Sequence, residues 1–98
     1  MTFGEFQLVC DANSPPASLD PLLLALWLDR NDKWDDAHTT VQSIPTPQGS
    51  LVHAYLHRKE GDLANAAYWY RRASREAPTA TLDEEWAAIA RELCSQDD

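Results

Sequence analysis

The sequence is short of glycine, cysteine and base, and each shortage narrows what the chain can do. Three glycines leave no Gly-rich loop to cradle a phosphate. The two cysteines, Cys10 and Cys94, stand near opposite ends with no CxxC and no Cys/His zinc spacing, so no disulfide framework is expected. A reducing cytoplasm suits such thiols best. Eight Lys and Arg face sixteen Asp and Glu, a formal net charge of -8. That surface repels phosphate backbones and anionic headgroups, so neither nucleic acid nor membrane is the expected partner. The longest apolar run, Leu22 to Leu28, falls far below the about 20 residues that span a bilayer. No basic stretch followed by an apolar one opens the chain, so no signal peptide is expected. No Gly-x-Ser-x-Gly elbow exists, and Cys94 has no neighbouring base in sequence, so an enzyme is not expected.

What remains is ordinary globular material. Ninety-eight residues, 44% hydrophobic, with four Trp, three Tyr and two Phe, suit one domain around one core. Residues 1–18 read as an arm, partly irregular. Phe3, Phe6, Leu8 and Val9 give it packing surface, and Asn13-Ser14-Pro15-Pro16 breaks any regular element.

Helical signals then follow one another across 19–95. Asp20 caps and Pro21 opens a first predicted helix, whose Leu22–Leu28 is apolar on every face and must be covered on more than one side. The arm, or a second copy of the chain, is the expected cover. Asn31-Asp32 ends that helix and starts a second, over about 33–43. Pro45, Pro47 and Gly49 interrupt, and a third helix is predicted over about 50–60. Gly61-Asp62 stops it and caps a fourth over 63–77, which Pro78 closes. Leu63, Ala66, Ala67, Tyr70, Ala73 and Ala77 give the fourth its apolar stripe. Thr81-Leu82-Asp83-Glu84 is a capping box for a fifth, with Leu82, Trp86, Ile89, Ala90 and Leu93 inward. Residues 96–98 form an acidic tail. The expectation is an all-α domain of five helices.

The chain nearly repeats itself. At an offset of 29 residues Ala25 falls on Ala54, Arg30 on Lys59, Asp36 on Asn65 and Ala37 on Ala66. Small residues flanking a two-residue polar turn let two helices approach closely, the chemistry of an antiparallel helical hairpin.

Ala54, Gly61, Ala66, Tyr70, Ala73 and Pro78 have the spacing of the small, turn, small, aromatic, small and proline positions of a tetratricopeptide repeat, and the chain resembles that family. The run Ala66-Ala67-Tyr68-Trp69-Tyr70-Arg71-Arg72-Ala73 is also similar to the end of Sel1-like repeats. The block from His53 through Gly61-Asp62 to Arg72-Ala73 (HAYLHRKEGD…NAAYWYRRA) is similar to a group of uncharacterised bacterial proteins. The resemblance covers 20–78 and implies two helix pairs with a closing helix. It departs from full tetratricopeptide arrays in its period, 29 against about 34, and in having two units where about three or more are usual.

That resemblance implies a protein-interaction or scaffold module, with the first helix of each pair lining a groove. Carried over from Ala54, the groove residues are Leu51, Tyr55, Arg58 and Lys59; from Ala25 they are Leu22, Leu26, Asp29 and Arg30. An apolar floor with bases at one end suits a peptide bearing a carboxylate. The plainer alternative packs Tyr55 internally and leaves Arg58 and Lys59 solvated.

A second reading comes from the residues themselves. His53, His57 and Glu60 share a helix face at i, i+4 and i+7, and His38 on the neighbouring helix adds a third imidazole. Such a set can bind a metal or small molecule. It lacks the Glu of a metalloprotease helix, since Ala54 follows His53. In the similar bacterial group a further His follows the Trp of the first unit, where this chain has Leu28. Histidines also cap, pair with carboxylates or line helix interfaces. No cofactor is expected. Arg71, Arg72 and Arg75 suit the C-terminal end of the fourth helix, and Asp83-Glu84-Glu85 the N-terminal end of the fifth.

Overall fold

A computed structural model describes residues 1–95 of the chain; the acidic tail, 96–98, lies outside the described residues. These fold as helices α1 (Phe3–Cys10), α2 (Pro21–Arg30), α3 (Trp34–Gln42), α4 (Pro47–Glu60), α5 (Leu63–Arg72) and α6 (Leu82–Ser95). No strand occurs among the described residues, and no helix is long and apolar enough to cross a membrane.

The count is six helices, one more than the sequence predicts. The extra one is α1, in the segment expected to be a partly irregular arm. Thr2 accepts a hydrogen bond from Glu5 N while the Glu5 carboxylate accepts from Thr2 N, a reciprocal cap that satisfies two otherwise orphaned donors. Residues 11–20 run without a helix.

Two further boundaries move. Pro47 opens α4 where interruption was expected: Thr46 caps Gly49 N at 3.0 Å, and proline loses nothing at a first helical position. Gly49 is required there, because a Cβ would lie 2.3 Å from the Ile44 carbonyl oxygen. At the other end, α5 stops at Arg72 rather than running on to Ala77. Ser74 takes a left-handed φ of 59°, and Arg75 N donates back to Tyr70 O at 3.0 Å, which reverses the chain before Pro78.

Helix α4 is the hub, packing against α2, α3, α5 and α6. Nine consecutive residues, Gly49–His57, are buried, so it behaves as an interior helix with no solvent face over that stretch. Ala25, Ala37, Ala54 and Ala66 are all buried, where small side chains allow close helix approach. Helix α2 packs against α3, α4 and α6. Its apolar faces are covered chiefly by elements of the same chain: α6 lies across it, with Trp86 Nε1 donating to Leu26 O at 3.2 Å. The N-terminal segment adds a smaller part, through Trp27 Nε1 to Val9 O at 2.7 Å. Helix α1 packs on α6, where Phe6 stacks on Trp86 at 5.6 Å between ring centroids.

Candidate functional site

The side chains with the most chemistry gather on one flank of α4. His53 and His57 project there because residues four apart share a helix face. Helix α3 packs against α4 and brings His38 to meet them. His53 Nε2 and His38 Nε2 lie 3.1 Å apart. One ring nitrogen from each of the three histidines lies within 4.8 Å of the other two.

Indoles wall the cluster. Trp34, one turn before His38 on α3, stacks on it at 5.1 Å between centroids, and its Nε1 donates to Leu56 O at 2.8 Å. Trp69 of α5 stacks on His53 at 3.8 Å. His53 and His57 are buried, and His38 is partly exposed. On His53 and His38 burial acts before anything else. It pushes His53 down from 6.5 to about 4, helped by neighbouring His38 and His57. His38 is also lowered, by burial and then by His57, against a smaller opposing effect from Glu60 and Asp35. Taking a charge out of water disfavours the imidazolium, so these two rings are neutral donors or acceptors at ordinary pH.

Glu60 joins from the last turn of α4, its Oε2 2.6 Å from His57 Nδ1. His57, Glu60 and Asp62 form a second group of close donor atoms that shares His57 with the first. Asp62 already accepts from Asn65 N as the cap of α5.

The donor set fits a metal ion. Neutral imidazole nitrogens bind borderline ions such as zinc at about 2.0–2.1 Å, which sets neighbouring donors about 3.3 Å apart. The His38–His53 pair is already near that separation. Bringing His57 to it needs a movement of no more than about 1.5 Å.

The residues expected to line a peptide groove are placed otherwise. Leu22, Leu26, Leu51 and Tyr55 are buried, and α6 packs over the helices that carry them. Tyr55 donates its hydroxyl to Asp29 at 2.8 Å, and Lys59 pairs with the same carboxylate at 2.9 Å. Arg58 pairs with Glu85 at 2.8 Å and donates to Ala80 O. Arg30 lies over the Trp86 ring at 3.9 Å and reaches Asp83 at 3.2 Å. Every base of that set is thus engaged within the chain.

Two carboxylates whose burial the sequence did not mark organise those contacts. Asp29 is 2% exposed and Glu85 5%; each receives one tyrosine hydroxyl and one cation, Glu85 taking Tyr70 at 2.5 Å and Arg58. Burial and the adjoining carboxylate push both tyrosine hydroxyls well above the usual range. A charged residue on an otherwise apolar face was the available signal for Asp29. Glu85 gave none, since an acid in a first helical turn is explained by the helix dipole alone. No family model matches the chain, and no curated protein or solved structure matches it either.

Proposed function

We propose that this domain binds a divalent transition-metal ion, with zinc as the chemically favoured choice, through His38, His53 and His57. The observation that carries this reading is the convergence of three imidazoles from two helices, with His38 and His53 Nε2 atoms 3.1 Å apart in a largely buried setting. A lone interface histidine needs one partner; three gathered nitrogens of which two belong to rings kept neutral by burial offer a ligand set. Imidazole donors select zinc, copper, nickel or cobalt over magnesium and calcium, which prefer oxygen. An ion held there ties α3 to α4.

The scaffold for this role is the tetratricopeptide-like arrangement, two helix pairs α2–α3 and α4–α5 with α6 closing them. Support comes from the buried alanines on each pair and from the left-handed turn at Gly61, φ 91°. The role is binding rather than catalysis, and a cytoplasmic setting keeps Cys10 and Cys94 as buried thiols. The alternative, an interaction module taking a peptide on Leu51, Tyr55, Arg58 and Lys59, requires α6 to lift away and break the Arg58–Glu85 pair.

The test is titration of the purified protein with Co2+, read by visible absorption and by quenching of the indoles beside His38 and His53. The expected result is one ion per chain with the spectrum of nitrogen ligation, absent from a folded His53→Ala variant and competed by Zn2+. Equal uptake by wild type and His53→Ala would sink the proposal, as would no uptake at all.

A further inference from the structure

Resting on that metal-binding reading, we infer that Glu60 orients His57 instead of ligating the ion, and that the ion keeps one coordination position for a small exogenous donor. The argument begins with the imidazole ring, whose two nitrogens point to opposite sides. Glu60 Oε2 sits 2.6 Å from Nδ1 of His57, so the carboxylate accepts a hydrogen bond from Nδ1–H, which leaves the Nε2 lone pair for the metal. His38 and His53 already turn their Nε2 atoms toward each other. With Nε2 of His57 as the ligating nitrogen all three rings offer the same atom, and a carboxylate bonded to Nδ1 lies on the other side of that ring. Carboxylate–histidine–metal relays of this form fix the tautomer and raise the basicity of the ligating nitrogen.

The count of donors carries the second half. Among the described residues, the group of close metal-ligating side chains around His38 and His53 closes at three with His57. Glu60 and Asp62 group with His57 and not with the other two rings, and Asp62 is held by the α5 cap. Three protein nitrogens leave a four-coordinate ion one position short, the arrangement of open rather than closed zinc sites. The partly exposed His38 marks the side from which solvent arrives. The ligand class is a small monodentate donor, such as a water, an azide-like anion or a free imidazole.

The experiment uses the full chain loaded with Co2+, titrated with azide, alongside Glu60→Ala and Glu60→Gln. Azide is expected to shift the visible spectrum of the wild type. Glu60→Ala is expected to weaken Co2+ binding by about 10–100-fold with the spectral shape and azide response kept, and Glu60→Gln to restore part of the loss through its carbonyl oxygen. An unchanged spectrum under azide overturns the open position. An unchanged affinity in Glu60→Ala, or a spectrum showing one ligand fewer, overturns the orienting role. Nitrogen NMR of the metal-free chain decides Glu60 separately. His57 protonated at Nδ1 in the wild type, with that preference lost in Glu60→Ala, supports the inference; an Nε2-protonated ring overturns it. Should the wild type take up no Co2+, the metal reading itself falls, while the tautomer result still stands for Glu60.

Discussion

The links from α2 to α3 and from α4 to α5 share one pattern of turn bonds, while the helices they join carry different side chains. In the first, Asp32 N donates to Asp29 O and Lys33 N to Leu28 O; in the second, Gly61 N donates to Arg58 O and Asp62 N to His57 O. Each pair of bonds lies 29 residues on from its counterpart. The side chains diverge where the backbones agree. Leu24, Leu26 and Leu28 of α2 stand where α4 carries His53, Tyr55 and His57. Helix α2 buries an apolar set plus Asp29, while α4 buries Ser50, His53 and His57 among its hydrophobes. The two helices thus differ in the polar groups they bury, one carboxylate in α2 against two imidazoles and a hydroxyl in α4, with α3 lending His38 and Trp34 to the latter.

The buried carboxylates are where that division costs most to break. Glu85→Ala strands the Tyr70 hydroxyl and the largely covered Arg58 guanidinium, and the expected loss is about 3–5 kcal/mol. Asp29→Ala strands the Tyr55 hydroxyl, but Lys59, 38% exposed, can turn to water, so about 1–3 kcal/mol is expected. Urea unfolding midpoints of the two variants check the order. Equal losses would show that the two carboxylates are not distinguished by exposure of their cations.

Acid should separate the units next. His53 resists protonation until about pH 4 in the folded chain, whereas an imidazole in the unfolded chain takes a proton near 6.5. The unfolded state then binds more protons between these values, so stability falls as pH drops through the window and levels off below 4. The drop attributable to His53 is at most about 3 kcal/mol, with His38 adding in the same direction. Chemical unfolding from pH 7 to 4 in the presence of a chelator measures it. A His53→Asn variant of intact fold should show a shallower slope, the shared carboxylate background cancelling in the difference.

Smaller effects test the frame itself. Ala66→Leu overpacks the α4–α5 crossing and should cost about 1–3 kcal/mol, visible as a lowered midpoint. At the turns, Gly61→Ala forces a Cβ into a left-handed backbone and should cost about 1 kcal/mol. Asp32, at φ 62°, already bears that strain, so Asp32→Gly should stabilise by about 0.5 kcal/mol. Thermal unfolding of both variants should move in opposite directions; parallel shifts would break the equivalence of the turns.

Much of the helical frame was legible because it is written in local chemistry. Asp20-Pro21, Gly61-Asp62 and the Thr81–Glu84 box each announce a boundary through neighbours a few residues apart. Helix α1 could have been found the same way, since Thr2-Phe3-Gly4-Glu5 carries the capping pattern of Thr81-Leu82-Asp83-Glu84. The end of α5 could not, because serine at 74 gives no sign that it will take a left-handed conformation. The histidine cluster was half legible: the spacing of His53 and His57 fixes their common face. The approach of His38 depends on how α3 lies on α4 across Ser43–Thr46, which no local pattern states. The destination of Arg58 and Lys59 was hidden for the same reason. It depends on where α6 lands, and Glu85 reads as an ordinary first-turn acid until it does.

The indole bond from Trp86 to the Leu26 carbonyl joins residues 60 apart in the chain, and it bears on how the domain comes to be made. Closing so long a loop costs more chain entropy than the local contacts of neighbouring helices do. While the ribosome is still adding residues before 82, Phe6, Leu22, Leu26, Leu51 and Tyr55 have no cover from α6, and Arg58 has no Glu85. A chain without α6 therefore exposes an apolar strip with the Arg58 guanidinium unpaired from Glu85 at its end. The strip that carries Leu51, Tyr55 and Arg58 is thus uncovered in a chain without α6 and covered in the folded one.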